Sequence, residues 1–357
     1  MATRGGTDIQ YENVTKQYGE TTAVDEINIS IERGEFMAII GPSGSGKTTT
    51  LRMLAGFETP TTGDVSLAGT SLVGVPPHKR DTATVFQDYA LFPHMSVGEN
   101  IAFGLKNRGY DRKPVDERVS EVLELVDMAG MEGRRPASLS GGQQQRVATA
   151  RALAPEPKVL LMDEPLGALD KKLRDQIRVD FARLQQELGI TTLYVTHNQE
   201  EALTMADRVA VMNDGRIEQI GTPTEVYRSP RTEFVSDFIG DTNILHGDIT
   251  EVDGRVVIRM AGSEIRLDYD GDLRVRPTVF VRPEDISLAS AGAEGSADNV
   301  LTGELQHSLF LGDKYRYYVD VDGQEFIVNG SGKRREFEDG DEVVITWDNE
   351  DTTVVSD

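Results

Sequence analysis

Short apolar runs punctuate the first two thirds of the chain, and each stops abruptly at glycine or at polar or charged residues. Phe36-Met37-Ala38-Ile39-Ile40, Val159-Leu160-Leu161-Met162, Thr192-Leu193-Tyr194-Val195-Thr196 and Val209-Ala210-Val211-Met212 are such runs. Continuous apolar stretches of this length predict strands buried on both faces. Residues 9–34 read as further strand segments, with Tyr18-Gly19 in a turn, and Val85-Phe86-Gln87 as a strand end before the stop at Pro93. Between the runs the spacing becomes helical. Val115, Val119, Val122, Leu123 and Val126 form a core-facing stripe, Thr49–Leu54 and Glu200–Ala206 read as helices, and Gln143–Leu153 reads as a helix ended by Pro155. Past Phe238-Ile239-Gly240 the period falls to two. Val256–Arg259, Thr278–Val281, Tyr315–Val321, Glu325–Val328 and Glu342–Thr346 alternate between turns such as Asp253-Gly254, Asp322-Gly323 and Asp339-Gly340-Asp341. This predicts a small antiparallel barrel, with Ser290 to Ala297 as a flexible loop within it. Two domains are expected, residues 1–240 and residues 241–357.

The first apolar run leads into Gly41-Pro42-Ser43-Gly44-Ser45-Gly46-Lys47-Thr48, followed by Thr49 and the helix. This is G-x-x-x-x-G-K-[ST] with a strand before it and a helix after it, the context that makes the motif specific. Glycines let backbone N–H groups close around phosphate oxygens, and the helix N-terminus adds free donors and partial positive charge. Lys47 is placed to reach the outer phosphates and the Thr48 hydroxyl to hold Mg²⁺.

Three later stretches add chemistry. Leu139-Ser140-Gly141-Gly142-Gln143 places Ser140 at a helix N-cap, which taken alone is an ordinary capped helix as readily as a second anion-binding surface. Asp163-Glu164 closes the second apolar run: in a P-loop fold one carboxylate holds Mg²⁺ while the other polarises the attacking water. His197 closes the third run and is a candidate for the γ-phosphate. Tyr18 could stack on a base, although a lone tyrosine more often packs.

Composition narrows the class. There is no cysteine, so neither disulfides nor thiolate metal sites are available. The N-terminal stretch lacks the apolar core of a signal peptide, and no apolar run approaches the roughly 18 residues that cross a bilayer, so a cytoplasmic protein is expected. The net charge is −23, with 10 lysines against 27 arginines. Residues 241–357 carry 26 acidic and 11 basic side chains, which argues against nucleic-acid binding by the barrel. Charge of this density is screened over about 3 Å near 1 M salt, which points to a salt-rich cytoplasm as in a halophile.

Together these motifs resemble the ATP-hydrolysing subunit of ABC transporters, from about Ile9 to Gly240. The resemblance implies an α/β P-loop NTPase domain with a helical subdomain over about residues 88–155, followed by an all-β, oligonucleotide/oligosaccharide-binding-like regulatory domain of the importer branch. Val281-Arg282-Pro283-Glu284-Asp285 matches a motif of that domain. It also implies a head-to-tail dimer, of two copies or of paralogues, with ATP between the P-loop of one subunit and Ser140, Gly141, Gly142 and Gln143 of the other. Tyr18 takes the adenine-stacking place. Glu164 becomes the general base, His197 positions the γ-phosphate, and Asp163 and Thr48 hold Mg²⁺. Gln87 senses metal and nucleotide and relays their state to transmembrane permease subunits, which an extracytoplasmic solute-binding protein would load; the surface around Tyr89–His94 would receive the permease. Asp170 lies in the D-loop Leu166–Asp170, where Gly167 departs from the family's frequent serine. A kinase or GTPase has no reason for the helix opened by Leu139–Gln143, the signature of this family, and the 52 residues between Gln87 and Ser140 are too few for the coiled coil of a DNA-repair relative. Asp241–Leu245, Phe310-Leu311-Gly312-Asp313 and Val344–Trp347 look more like the polyamine and ferric-iron branches than the sugar importers, with polyamine favoured.

Overall fold

The computed structural model describes residues 6–107, 114–167, 169–252, 255–260, 262–267, 269, 277–292, 297–330, 332 and 335–355. Ala168 of the D-loop, the expected Asp253-Gly254 turn and residues 293–296 of the expected loop lie outside them. The chain divides into two compact units, Met1–Thr224 and Glu225–Asp357.

In the first unit a six-stranded sheet runs in the order Arg216–Gly221, Arg208–Asn213, Phe36–Ile40, Thr191–Val195, Val159–Asp163, Thr82–Val85. All neighbours are parallel except the first pair, which is a hairpin closed by Asp214 and Gly215, both at positive φ. Asp-Gly suits that two-residue turn because both positions need left-handed backbone. The four buried runs of the sequence are four adjacent strands here. Asp163 and Ile39 both lie in register with Val195, so three strands end level with one another. A second, antiparallel sheet of Thr7–Tyr18, Thr21–Glu32, Thr62–Leu67 and Thr70–Ser71 contributes Ile9, Tyr11, Ile29 and Val65 to a core shared with the P-loop helix Lys47–Ala55. Arg80 secures the far end of that helix. Its buried guanidinium donates to the Met53 and Leu54 carbonyls at 2.6 and 2.8 Å, where unpaired helix acceptors favour a cation.

Helices Val97–Asn107, Val115–Leu125 and Gly141–Leu153 share a separate core that includes Ile101, Leu105, Val122, Leu123 and Val147. Helix Lys171–Leu188 buries Ile177, Phe181 and Gln185, one residue per turn. So narrow a stripe in a strongly charged segment escapes a search for periodicity.

In the second unit, antiparallel sheets of three, three and five strands surround one core that includes Ile258, Val281, Leu301, Val319, Phe326 and Trp347. Its longest strand, Asn299–Phe310, bends at a register shift between Leu305 and His307. The unit starts before the junction expected at Gly240, and Arg282 supplies the reason. Its buried guanidinium donates to the carbonyls of Tyr227, Ser236 and Asp241 and to the Thr242 hydroxyl, all within 3.0–3.1 Å, and lies 4.4 Å from the Tyr227 ring centroid. Residues 227–242 are therefore bound into the strand-rich unit by the arginine of the Val281–Asp285 motif. Among the described residues no helix is long and apolar enough to cross a membrane.

Candidate functional site

The loop Gly41–Gly46 follows strand Phe36–Ile40, and two of its glycines are required by contact. A Cβ on Gly41 would lie 2.0 Å from the Met212 carbonyl oxygen, and one on Gly46, at φ +99°, would lie 2.4 Å from that of Ala23. Gly44 is also at positive φ, with open space beside it. Ser43 and Gly44 are exposed, whereas Ser45 and Lys47 are buried. The Asp214-Gly215 turn supports the loop from behind, Gly215 N–H donating to the Ser45 carbonyl at 3.1 Å. Lys47 Nζ donates to the carbonyls of Gly41 and Pro42 at 2.9 and 2.7 Å, so the ammonium spans the mouth of its own loop. Burial pushes that ammonium down from the usual lysine range, opposed first by Glu164 and then by Asp163.

The Thr48 hydroxyl donates to Asp163 Oδ1 at 3.2 Å. Burial raises the Asp163 carboxyl above its ordinary range, against the Thr48 hydrogen bond and the Arg52 charge. Two hard oxygen donors side by side at the end of a phosphate-binding loop fit Mg²⁺, which takes few protein ligands and keeps water and phosphate oxygens for the rest. The open, donor-lined loop likewise fits the phosphates of ATP.

Glu164 turns out of the strand at φ +45°, a left-handed conformation uncommon outside glycine. It is fixed on both sides, since Glu164 N–H donates to the Val195 carbonyl at 2.9 Å and Gly167 N–H to the Glu164 carbonyl at 3.2 Å. Its Oε2 lies 3.2 Å from His197 Nδ1, and the His197 ring is well exposed. Carboxylate and imidazole therefore meet on the open side of the loop. Behind the histidine, Glu201 is buried and accepts from the Tyr194 and Thr196 hydroxyls, both at 2.7 Å. Neither Glu201 nor Arg174, 4.0 Å from it, stands out in the sequence: Asn198-Gln199-Glu200-Glu201 reads there as an ordinary helix start.

Gln87 is exposed, just past strand Thr82–Val85, and a Cβ on Gly167 would lie 3.7 Å from its Nε2. The D-loop position that departs from the family thus faces the Gln87 amide. Next to Gln87, Tyr89 and Ala90 are both at positive φ, and Arg151 of the signature helix donates to both their carbonyls. Tyr18 ends strand Thr7–Tyr18, 45% exposed, with Lys16 Nζ 4.7 Å from its ring and its hydroxyl in reach of Glu58 and of Thr49 beside the P-loop.

Ser140, Gly141 and Gly142 open helix Gly141–Leu153 through a capping box. Ser140 Oγ accepts from Gln143 N–H at 3.3 Å, and Gln143 Oε1 accepts from Ser140 N–H at 3.0 Å. Its neighbours are the D-loop and the helix after it: a Cβ on Gly142 would lie 2.9 Å from the Leu173 methyls. Asp170 Oδ1 caps that following helix, accepting from Leu173 N–H at 3.1 Å. Thr48 thus meets Asp163 and Glu164 meets His197 by direct contact, Lys47 is coupled to both carboxylates through their charge, and the signature's polar groups close on themselves.

Residues 24–167 match the ABC transporter family, and residues 279–355 match the TOBE domain. The spermidine/putrescine import ATP-binding protein PotA of Rubrobacter xylanophilus is 49% identical over 350 residues, covering 95% of this chain and 91% of its own. The chain belongs to the ABC transporter family. Two further relatives of this ABC protein are the PotA of Thermobifida fusca and the Fe(3+) ions import ATP-binding protein FbpC of Rhizobium etli. The first is 46% identical over 358 residues, covering 95% of this chain and 91% of its own. The second is 46% identical over 328 residues, covering 91% and 92%. Among solved structures, a dimeric ATP-binding cassette in a post-hydrolysis state with ADP and phosphate is 32% identical, with a TM-score of 0.54, over 60% of this chain and 98% of that one. The ATP-binding subunits of ABC importers are ATPases, and this chain has their P-loop NTPase domain followed by a strand-rich TOBE region.

Proposed function

We propose that this chain is the ATP-hydrolysing subunit of a polyamine importer, acting at the cytoplasmic face of the membrane as a pair of subunits bound to transmembrane permease partners. The observation that carries the catalytic part is the convergence of Lys47, the Thr48–Asp163 oxygens and the Glu164–His197 pair on one open loop. In this reading the loop N–H groups and Lys47 bind the ATP phosphates, and Thr48 and Asp163 hold Mg²⁺, which neutralises phosphate charge when bound. Glu164 takes the proton of the attacking water, and His197 holds Glu164 and the γ-phosphate in line. Gln87 reports nucleotide state to the permease. Tyr18 stacks on the adenine. Ser140, Gly141, Gly142, Gln143 and Asp170 serve the ATP of the partner subunit, which explains a capped helix end exposed far along the chain from the P-loop. The cargo reading rests on the polyamine relatives, with an extracytoplasmic binding protein delivering the solute.

Glu164→Gln tests the mechanism. It should still bind ATP, lose about 10²–10⁴-fold in turnover as expected for a missing general base, and accumulate as an ATP-bound dimer on size exclusion. Near-wild-type hydrolysis removes Glu164 as the base. Because an iron-importer relative stands at comparable identity, cargo is decided by transport. Vesicles holding this chain with its permease partners should couple ATP hydrolysis to uptake of spermidine or putrescine and not of Fe(III).

A further inference from the structure

The buried carboxylate of Glu201 has no place in the catalytic reading above, yet it fixes the turn that carries His197. It accepts hydrogen bonds from Tyr194, three residues before the histidine, and from Thr196, immediately before it. Thr196 Oγ1 in turn accepts from Asn198 N–H at 3.0 Å, immediately after it. One hydroxyl held by one carboxylate therefore pins the backbone on both sides of an imidazole that is itself exposed. Across from Glu201 stands Arg174, on helix Lys171–Leu188. Its Nη2 donates to the Leu169 carbonyl in the D-loop at 2.8 Å, while its Nε, 4.0 Å from Glu201 Oε1, is buried without a hydrogen-bond partner among the described residues. A buried N–H aimed at a buried carboxylate from just beyond hydrogen-bond length is a contact that a small shift of the helix start would complete, and completing it is favourable because the Arg174 Nε–H has no other partner among the described residues and both hydroxyl bonds to Glu201 go to Oε2, not to the Oε1 that faces Arg174.

We infer that Arg174 and Glu201 are positioning residues that tie the D-loop to the orientation of His197. A displacement of Leu169, as when a second subunit closes on the D-loop, pulls Arg174. Arg174 engages Glu201, and Glu201 sets the Thr196–Asn198 turn, so that seating the partner tightens the hold on His197, whose contact with Glu164 the single chain already makes. The inference rests on the proposed role of His197, and the test separates the two.

The full-length chain would be assayed with Mg-ATP as wild type, Arg174→Met, Glu201→Gln, the double variant, Arg174→Lys and His197→Ala, with melting curves confirming folding and a fluorescent ATP analogue reporting affinity. Arg174→Met and Glu201→Gln should each lose about tenfold in kcat, as supporting residues around a site commonly do, with KM and nucleotide affinity within about twofold of wild type. The double variant should lose no more than either single one, because both act along one path. Arg174→Lys, which keeps the charge toward Glu201, should fall between wild type and Arg174→Met. Folded Arg174→Met and Glu201→Gln with wild-type kcat, or losses that multiply in the double variant, overturn the relay while an impaired His197→Ala leaves the catalytic reading standing. Full turnover by His197→Ala overturns the catalytic reading itself, and the relay with it.

Discussion

Asp163 is buried beside Thr48, and burial holds its carboxyl above the ordinary range, so the folded chain keeps this proton more tightly than the unfolded chain does. For such a group the contribution to stability is complete below the unfolded carboxylate value and is lost as pH rises through the raised, folded value. Once ionised, Asp163 thus works against the nucleotide-free fold. Asp163→Asn, which keeps an acceptor for the Thr48 hydroxyl, should melt higher than wild type at neutral pH and no higher at acidic pH, yet lose the stabilisation that Mg-ATP gives the wild type. Differential scanning fluorimetry at several pH values, with and without Mg-ATP, reads both effects. Tyr18 poses a different question. From the sequence its role could be only packing or stacking; in the structure its half-exposed ring stands free of the core clusters, with the hydroxyl near Thr49. Tyr18→Ala should weaken ATP binding about tenfold, since an aromatic stacked on a base contributes roughly 1–3 kcal/mol, and Tyr18→Phe should not. Equal affinity for Ala and wild type would return Tyr18 to packing. Lys47, Thr48, Asp163 and Glu164 were legible because a motif of fixed spacing sits at the ends of unmistakable strands. Glu201 and Arg174 were not, because nothing local marks a charged helical residue as buried; only the packing of two distant helices does so.

Elements differ in legibility for equally physical reasons. The strand expected at Phe36–Ile40 is observed with those bounds and is buried throughout, because a run of five apolar residues has few other ways to leave water. Thr278–Val281 and Tyr315–Val321 likewise keep their expected ends; the second alternates with one buried face as its period predicts, whereas the first buries Val279, Phe280 and Val281 in succession. Asn299–Phe310 alternates only as far as Leu305, and its outward face carries Val300 while its inward face carries Asn299 and Gly303, so the apolar pattern in the sequence is blurred. The segment after Gln87 was expected only as an irregular break, and the structure adds that it is strained. Consecutive left-handed residues Tyr89 and Ala90 each cost roughly 1 kcal/mol or more relative to ordinary backbone. Arg151 holds them there through two carbonyls, with its guanidinium 5.7 Å from the Phe92 ring centroid. Arg151→Ala should therefore lower stability by about 2 kcal/mol, the scale of charged hydrogen bonds, and expose this segment to limited proteolysis. Ala90→Gly added to it should recover part of the loss, because glycine adopts this backbone without steric cost. If the segment stays protected in Arg151→Ala, the clamp is not what maintains the strain.

Over the whole molecule the excess of acid must be reconciled with folding. Many arginines are already committed to local pairs, as Arg146 with Asp127 and Asp180, Arg178 with Asp175, Arg216 with Asp25, and Arg228 with Asp285. Exposed pairs of this kind contribute about 0–1 kcal/mol each and weaken in salt. The unpaired excess, −23 in all, repels itself at every distance within the screening length. Raising KCl from 0.15 M to 1 M shortens that length from about 8 to about 3 Å, which removes most of the repulsion between neighbouring carboxylates while costing each close ion pair only part of its small gain. Repulsion should prevail, so the melting temperature of the nucleotide-free chain should climb with KCl up to molar concentrations. The charge is densest after residue 240, where 26 acidic side chains face 11 basic ones. Replacing exposed acids there, for example Glu325→Gln with Glu338→Gln and Glu350→Gln, should raise the melting temperature at low salt and flatten its rise with KCl. A melting temperature that is level or falling up to molar KCl would show that the acidic surface is simply solvated and that the chain is built for ordinary salt.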